Sequence, residues 1–227
     1  MCGRTALTAS AEDLRATFGL DDAPAVTPHY NVPPSQPVAA VRVLRGSPKR
    51  SLELLRWGLV PSWADDVKMG HRLSLARVET LTTSPAFRDA LRHRRCLVVV
   101  SGFYEWERGG KGPSHPYFVR SRDGALMALA GLWERWTSRD GEVVESCAIV
   151  TQPARPPVDA VHDRMPLVLE RAEWDAWLDP AAEPAEALLA PHAPGLDAYA
   201  VSAHVNDPRH DDARCLQPEA PAQGALF

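Results

Sequence analysis

Cysteine is scarce in this chain, and what little there is stands far apart: Cys2, Cys96, Cys147 and Cys215 are the four among 227 residues, with no C-x-x-C pair. That scatter argues against a structural zinc site and against a dense disulfide framework, and it fits reduced thiols in a cytoplasmic setting. Long apolar runs are missing too. None reaches the roughly 18 to 20 residues a bilayer span requires, and the polar start over residues 1–10 has no signal-peptide core. A soluble, cytoplasmic protein without contact to a membrane is therefore expected. Excess positive charge is absent: the formal net charge is −4, which disfavours a generally basic nucleic-acid binder, although a groove can be basic on an acidic molecule. The chain shows no internal repeat, no low-complexity block and no long linker. No second histidine stands at ligand spacing from His162, so neither a metal nor another cofactor is expected.

What is present in quantity is apolar side chain and proline. With 45% hydrophobic residues the chain can bury a substantial core, and 21 prolines predict many fixed turns and extended segments rather than long helices. Ser10 and Asp13, then Leu14 and Phe18 at helical spacing and Gly19 beyond, predict a short capped helix with a glycine stop. A second helix is expected from Ser84-Pro85 through Phe87, Ala90 and Leu91, and later ones over 173–178 and 181–189. Short β-rich runs at 38–44, 52–57, 96–100, 103–107, 117–120, 126–132, 146–151 and 167–169 predict strands. Gly109-Gly110, Asp123-Gly124 and Asp140-Gly141 supply turn chemistry between them. The class is α+β: curled antiparallel or mixed sheets with peripheral helices. One compact domain is expected over residues 1–216, followed by a loose tail, 217–227, rich in Pro, Ala and Gln. Nothing signals an oligomer, so a monomer is the default.

The residue directly behind the initiator carries the most specific chemistry. Once Met1 is removed, Cys2 bears an amine and a thiol on adjacent carbons, a 1,2-aminothiol that no internal cysteine can offer. The amine can condense with an aldehyde to an imine, and the thiol can close onto the same carbon to give a thiazolidine. Reference pKa values of about 7.7 to 8.0 for an α-amino group and about 8.5 for a thiol leave both with nucleophilic fractions near neutrality.

Three further stretches pair reactive groups with strand or turn context. Gly102-Phe103-Tyr104-Glu105-Trp106 puts a carboxylate among aromatics, and strand alternation would turn Phe103 and Glu105 to one face, Tyr104 and Trp106 to the other. Glu105 is either a general acid in an apolar setting or a strand-end carboxylate with its head in water. His162, in Val161-His162-Asp163-Arg164-Met165-Pro166, could move protons or simply be hydrogen-bonded. Tyr30-Asn31-Val32-Pro33-Pro34-Ser35-Gln36 forms a rigid extended loop, and Trp57 and Trp63 flank a turn; exposed aromatics and prolines beside arginines can hold unstacked bases, though Trp57 reads as core. Arg88, Arg92, His93, Arg94 and Arg95 make one dense basic stretch, expected to be a solvated helix face.

Together these segments resemble the SOS response-associated peptidase family, the abasic-site processing proteins. The collinear matches are Met1-Cys2-Gly3-Arg4, Tyr30-Asn31-Val32 with Pro34, Trp57-Gly58 with Pro61 to Trp63, Ala76-Arg77-Val78-Glu79-Thr80, Gly102 to Trp106, Ala130-Gly131-Leu132-Trp133 and His162-Asp163-Arg164-Met165-Pro166, with a further match near Val201 to Arg209. The resemblance implies an open barrel-like β core and a groove for single-stranded DNA leading to the N-terminal cysteine. It implies covalent capture of abasic sites through a thiazolidine at Cys2, with Glu105 protonating the ring oxygen of the closed sugar and His162 assisting proton transfers around the imine. By the same resemblance Arg4, Arg77 and Arg164 would hold flanking phosphates, Asn31, Ser35 and Thr151 would make polar contacts, and Pro34 and Trp63 would prop neighbouring bases apart. Two departures stand out. The family usually reads Asn-Ala-Arg where this chain has Leu75-Ala76-Arg77, and the Pro153 to Arg155 segment replaces small residues and asparagine. Two other functions fit parts of the pattern: an N-terminal-nucleophile hydrolase or thiol autopeptidase, since Met-Cys-Gly also opens amidotransferases, and a nucleic-acid-binding module that forms no covalent bond.

Overall fold

The structure is a computed structural model that describes residues 3–47, 49–107, 115–182, 186–190, 192 and 195–219. Its frame is two sheets. One has five strands in the order β13-β8-β7-β1-β2, formed by β1 (Thr5–Leu7), β2 (His29–Val32), β7 (Gly102–Trp106), β8 (Pro116–Ser121) and β13 (Leu196–Ala200). The other runs β11-β10-β4-β3-β6-β9-β12, from β3 (Pro37–Val43), β4 (Arg50–Trp57), β6 (Arg95–Val100), β9 (Met127–Thr137), β10 (Val143–Pro153), β11 (Arg164–Pro166) and β12 (Val168–Leu169), with β5 (Leu75–Arg77) parallel to β10. Because β9 also pairs with β10, the strands β3, β4, β10, β9 and β6 close into a ring. The barrel-like core expected from the resemblance is thus present, and it is closed.

Why these strands form follows from their burial. All six residues of β6 are buried, as in a strand covered on both faces, and the five after Arg95 read as a continuous apolar run. Its alternate side chains belong to two clusters: Cys96, Val98 and Val100 pack with Ala40, Leu55, Trp57 and Ile149, while Leu97 and Val99 pack with Val41, Val150 and the helices. Arg42 on β3 identifies the inside of the ring. It bonds Glu53 on adjacent β4, reaches Glu145 on β10 at 2.6 Å and lies over the Trp133 ring of β9 at 4.2 Å, although neither β10 nor β9 neighbours β3 at that point along one straight sheet. Gly131 lets β9 approach β6, because a Cβ there would stand 2.8 Å from the Cys96 sulfur.

The helices cover the outer face. Helix α1 (Ala11–Phe18) is capped as expected, here by a capping box between Ser10 and Asp13, and ends at Gly19 in the left-handed conformation, burying Leu14 and Phe18. Helix α2 spans Arg88–His93, shorter than the segment expected from Ser84, and α3 spans Trp174–Leu178. Helix α4 occupies only Glu186–Leu189 of the expected 181–189.

The basic stretch at α2 departs from expectation at its end. Arg95 is buried and donates to five carbonyls, among them Trp177 O at 2.6 Å and Leu91 O at 2.7 Å, so its guanidinium ties α2 to the segment after α3 rather than facing water. Arg94 pairs with Glu134 at 2.8 Å. The strands expected around 126–132 and 146–151 are longer than their apolar cores, since β9 and β10 continue as a hairpin through the Asp140-Gly141 turn. The Gly109-Gly110 turn lies outside the described residues. Gln217 to Glu219, at the start of the expected tail, are hydrogen-bonded: Ser202 N–H donates to Gln217 O, and Glu219 N–H donates to Ala200 O at 2.9 Å. No helix among the described residues is long and apolar enough to cross a membrane.

Candidate active site and nucleic-acid groove

One residue, Ser101, separates β6 of the barrel from β7 of the second sheet, and its N–H donates to Ala6 O at 2.8 Å. At this step the chain leaves the barrel sheet for the second sheet, where β1 lies beside β7. The antiparallel register pairs Thr5 with Phe103 and Ala6 with Gly102, and Tyr104 N–H donates to Arg4 O at 2.9 Å. Continued by two residues, that register counts Gly3 opposite Glu105. Gly102 makes the step possible: a Cβ there would fall 2.1 Å from the Phe118 ring.

Alternation along β7 is as expected. Phe103 packs in the barrel cluster, while Tyr104 and Trp106 join the aromatic group on the opposite face with Phe118 and Tyr199. Glu105 is fully buried, so the solvated strand-end carboxylate is set aside. It meets His162, which is 4% exposed, with Oε2 3.9 Å from Nδ1. His162 stands just before β11, held by its N–H to Val158 O at 2.8 Å and by Arg164 N–H to Nδ1 at 3.0 Å. An acid and an imidazole from different sheets are thereby brought together in the interior, where water screens little.

Arg77, Thr151 and Arg164 lie on three adjacent strands. Parallel β5 places Arg77 beside Thr151 of β10, and antiparallel β11 places Arg164 next to Pro153 on the other side. Arg164 donates to Thr151 O at 2.8 Å and to the Thr151 hydroxyl at 3.2 Å, and forks onto the Glu79 carboxylate. That fork holds the Glu79 carboxyl below its ordinary range. With Ser74 and Leu75, these three residues line a cavity of about 280 Å³. Leu75 faces this space as an apolar wall and packs on the barrel cluster.

Arg4 and Asn31 occupy a second position. Arg4 Nη1 donates to Asn31 Oδ1 at 2.6 Å and to Val205 O at 3.1 Å, and the guanidinium lies 5.7 Å from the Trp106 ring. Burial pushes the Arg4 pKa down from its ordinary value. The Asn31 amide donates to the carbonyls of Val205, Asp207 and His210, so this buried side chain ties β2 to the C-terminal segment. Ser35 sits in a tight turn with φ of +77°, unusual for a residue with a side chain, fixed by its N–H to Trp57 O at 2.6 Å. Pro34 is half-buried beside it. Trp57 is core, as expected, and Trp63 is 58% exposed.

Cys2, the expected nucleophile, lies outside the described residues. The three other cysteines are all buried. Burial pushes the Cys96 thiol up to about 12, Cys147 well above its ordinary value and Cys215 upward as well, so none of them is a ready thiolate.

A family model described as SOS response associated peptidase (SRAP) matches residues 1–208. The chain belongs to this family. Among curated relatives of the SRAP chain, the abasic site processing protein YoaM of Bacillus subtilis is 37% identical over 226 residues, spanning 96% of this chain and 99% of its own. The abasic site processing protein HMCES of Gallus gallus is 32% identical over 262 residues, spanning 96% of this chain and 78% of its own. A crystal structure of a protein from Bacteroides thetaiotaomicron superposes with a TM-score of 0.80 at 24% identity, covering 96% of this chain and all of the other, which shows the shared fold.

Four side chains near the site carried no signal in the SRAP sequence: Arg56, His71, Arg72 and the role of Glu79 as partner to Arg164. Arg56, His71 and Arg72 lie outside the matched motifs and have no periodicity to mark them; their grouping depends on the 3-10 turn Val67–Arg72 folding back onto the end of β4, whereas Glu79 lies within a matched motif and only its pairing with Arg164 was unread.

Proposed function

We propose that this protein recognises abasic sites in single-stranded DNA and captures them covalently through Cys2, shielding the lesion as part of the response to DNA damage, as a cytoplasmic monomer. The observation that carries the proposal is the meeting of Glu105 and His162 in the interior, at the point where the β1 to β7 register counts Gly3, bonded to Cys2, opposite Glu105. The high thiol pKa of the buried Cys96, Cys147 and Cys215 leaves Cys2 as the thiol suited to such chemistry.

An abasic deoxyribose is mostly a closed hemiacetal. Glu105 gives a proton to the ring oxygen as the anomeric hydroxyl loses one, which opens the sugar to an aldehyde and a free hydroxyl without net proton change. The Cys2 amine adds to the carbonyl, and loss of water gives the imine. His162 relays protons between the nitrogen and the departing hydroxyl. The thiol then adds across the C=N bond, its proton passing to nitrogen, and closes the thiazolidine. Overall one water leaves and nothing is oxidised or reduced.

Arg77, Arg164 and the Thr151 hydroxyl would hold a phosphate beside the lesion, with the Glu79 carboxylate displaced from Arg164 by the incoming anion. Arg4, held between Asn31 and Trp106, would hold a second. Asn31 would act through Arg4 and through the backbone it ties down. The Ser35 turn, Pro34 and the exposed Trp63 ring would keep bases unstacked. These contacts are to backbone and stacked faces, so little base specificity is expected.

The test is a time course of adduct formation with a single-stranded oligonucleotide bearing one abasic site. Wild-type protein gives a heat-stable adduct and Cys2→Ala gives none. Glu105→Gln and His162→Ala slow the adduct, roughly 10²-fold to 10⁴-fold for a lost general acid or base, while DNA binding stays near wild type. Equal rates in all four proteins, or loss of binding in the Glu105 and His162 variants, would overturn these roles.

A further inference from the structure

The cavity beside Thr151 continues past Arg77 to two residues that the proposed chemistry does not use, His71 and Arg72. Three guanidinium groups, Arg72, Arg77 and Arg164, and one imidazole line it, together with the Ser74 and Thr151 hydroxyls, and no carboxylate does. Arg164 has Glu79 as its counter-charge, and Glu79 also feels the charge of Arg77, but neither the Arg72 nor the Arg77 guanidinium makes a hydrogen bond or a salt bridge among the described residues. Local positive charge of this density on a chain of net charge −4 points to an anion.

The group is also held in place. Gly58, at φ +135°, and Gly70 touch backbone to backbone: a Cβ on Gly58 would lie 2.6 Å from Gly70 O, and one on Gly70 would lie 2.5 Å from Gly58 O. This contact, with Leu59 N–H to Leu73 O at 3.1 Å and the Trp57 indole N–H to Ser74 O at 2.9 Å, pins the turn carrying His71 and Arg72 to the end of β4. Arg56 bridges outward from there. Its guanidinium donates to Ser35 O at 3.1 Å and lies 3.2 Å from His71 Nε2, so the Ser35 turn and the His71 ring are parts of one wall. With Nε2 accepting from Arg56, the His71 Nδ1–H is left to donate elsewhere.

We propose that Arg72 and His71, backed by Arg56, form a second phosphate subsite. It takes the backbone phosphate of a nucleotide one step beyond the phosphate held by Arg77 and Arg164, and so extends the footprint on that side of the lesion. This rests on the single-stranded DNA reading above and adds a contact that reading does not need. Because the contact is to phosphate, it strengthens binding to every sequence alike.

Binding is measured on lesion-free single strands as a function of salt, with wild-type protein, Arg72→Gln and Arg72→Lys. Arg72→Gln lowers the magnitude of the log-log salt slope by about 0.7, one phosphate on a single strand, and weakens binding roughly two- to fivefold, the range of one exposed ion pair; Arg72→Lys keeps the slope. A scan of single uncharged methylphosphonate linkages locates the contact: at one position wild-type and Arg72→Gln proteins bind equally. An unchanged slope in Arg72→Gln, or a difference that persists at every methylphosphonate position, overturns the subsite while leaving the parent reading intact. Failure of the wild-type protein to bind any single strand overturns both.

Discussion

Leu75 is where this chain departs most sharply from the pattern it otherwise follows. Its side chain walls the cavity beside Arg77 and Thr151, where an asparagine amide could hydrogen-bond the opened sugar or orient the incoming carbonyl. A leucine contributes packing on the barrel cluster and no polar contact. Ser74, on the same wall, is the nearest hydroxyl in sequence to take over that contact. The account therefore expects a working but slow trap. Leu75→Asn should form the abasic-site adduct faster than wild type, at a stability cost of roughly 1 kcal/mol for the partly buried apolar surface lost. Adduct kinetics together with denaturant unfolding check both halves; a wild-type rate equal to or above that of the asparagine variant contradicts the expectation. Residue chemistry was legible for Cys2, because a 1,2-aminothiol depends only on position. For Glu105 and His162, 57 positions apart in the chain, it was legible only through the family resemblance, since local sequence left a bland role open for each and only the fold brings them within 3.9 Å.

At the scale of elements, strands with strong apolar content could be read directly: the runs at 38–44, 52–57 and 96–100 fall on β3, β4 and β6 within two residues at each end. The short strands could not. Thr5–Leu7, Leu75–Arg77 and Arg164–Pro166 are three residues each, too brief for a period-two signal, and they exist because distant partners supply their hydrogen bonds. These are the strands that hold Arg77, Arg164 and the approach to Cys2, so the site rests on the least readable elements. The basic stretch at α2 teaches the converse. Charge density suggested a solvated face, yet Arg95 is the buried clasp of α2, α3 and the segment that follows them. Arg95→Leu should lower stability by about 2 to 4 kcal/mol, because several buried carbonyls lose their donor at once, and leave the salt slope of single-strand binding unchanged. Unfolding curves and a salt titration decide it; a smaller slope would move Arg95 from scaffold to groove.

For the whole molecule, ring closure was the feature furthest from the sequence. It depends on β9 pairing with β6 along one edge and with β12 and β10 along the other, a sharing of partners that follows from strand length and curvature rather than from composition. The end of β10 pairs with β5 and β11, and the Ser101 step leads from β6 into β7, whose Glu105 meets His162 just before β11, with β1 alongside. A net acidic chain thereby gathers Arg72, Arg77 and Arg164 around one cavity, a local concentration that composition alone disfavoured. The central claim is that this scaffold serves an N-terminal aminothiol. Its most direct test is the intact mass of the protein after incubation with an abasic-site single strand and heating. The account predicts the chain without Met1 plus the oligonucleotide less one water, with fragmentation placing the linkage on Cys2. A wild-type protein that retains Met1 or gains no oligonucleotide, or a Cys2→Ala protein that gains the same mass, would contradict it.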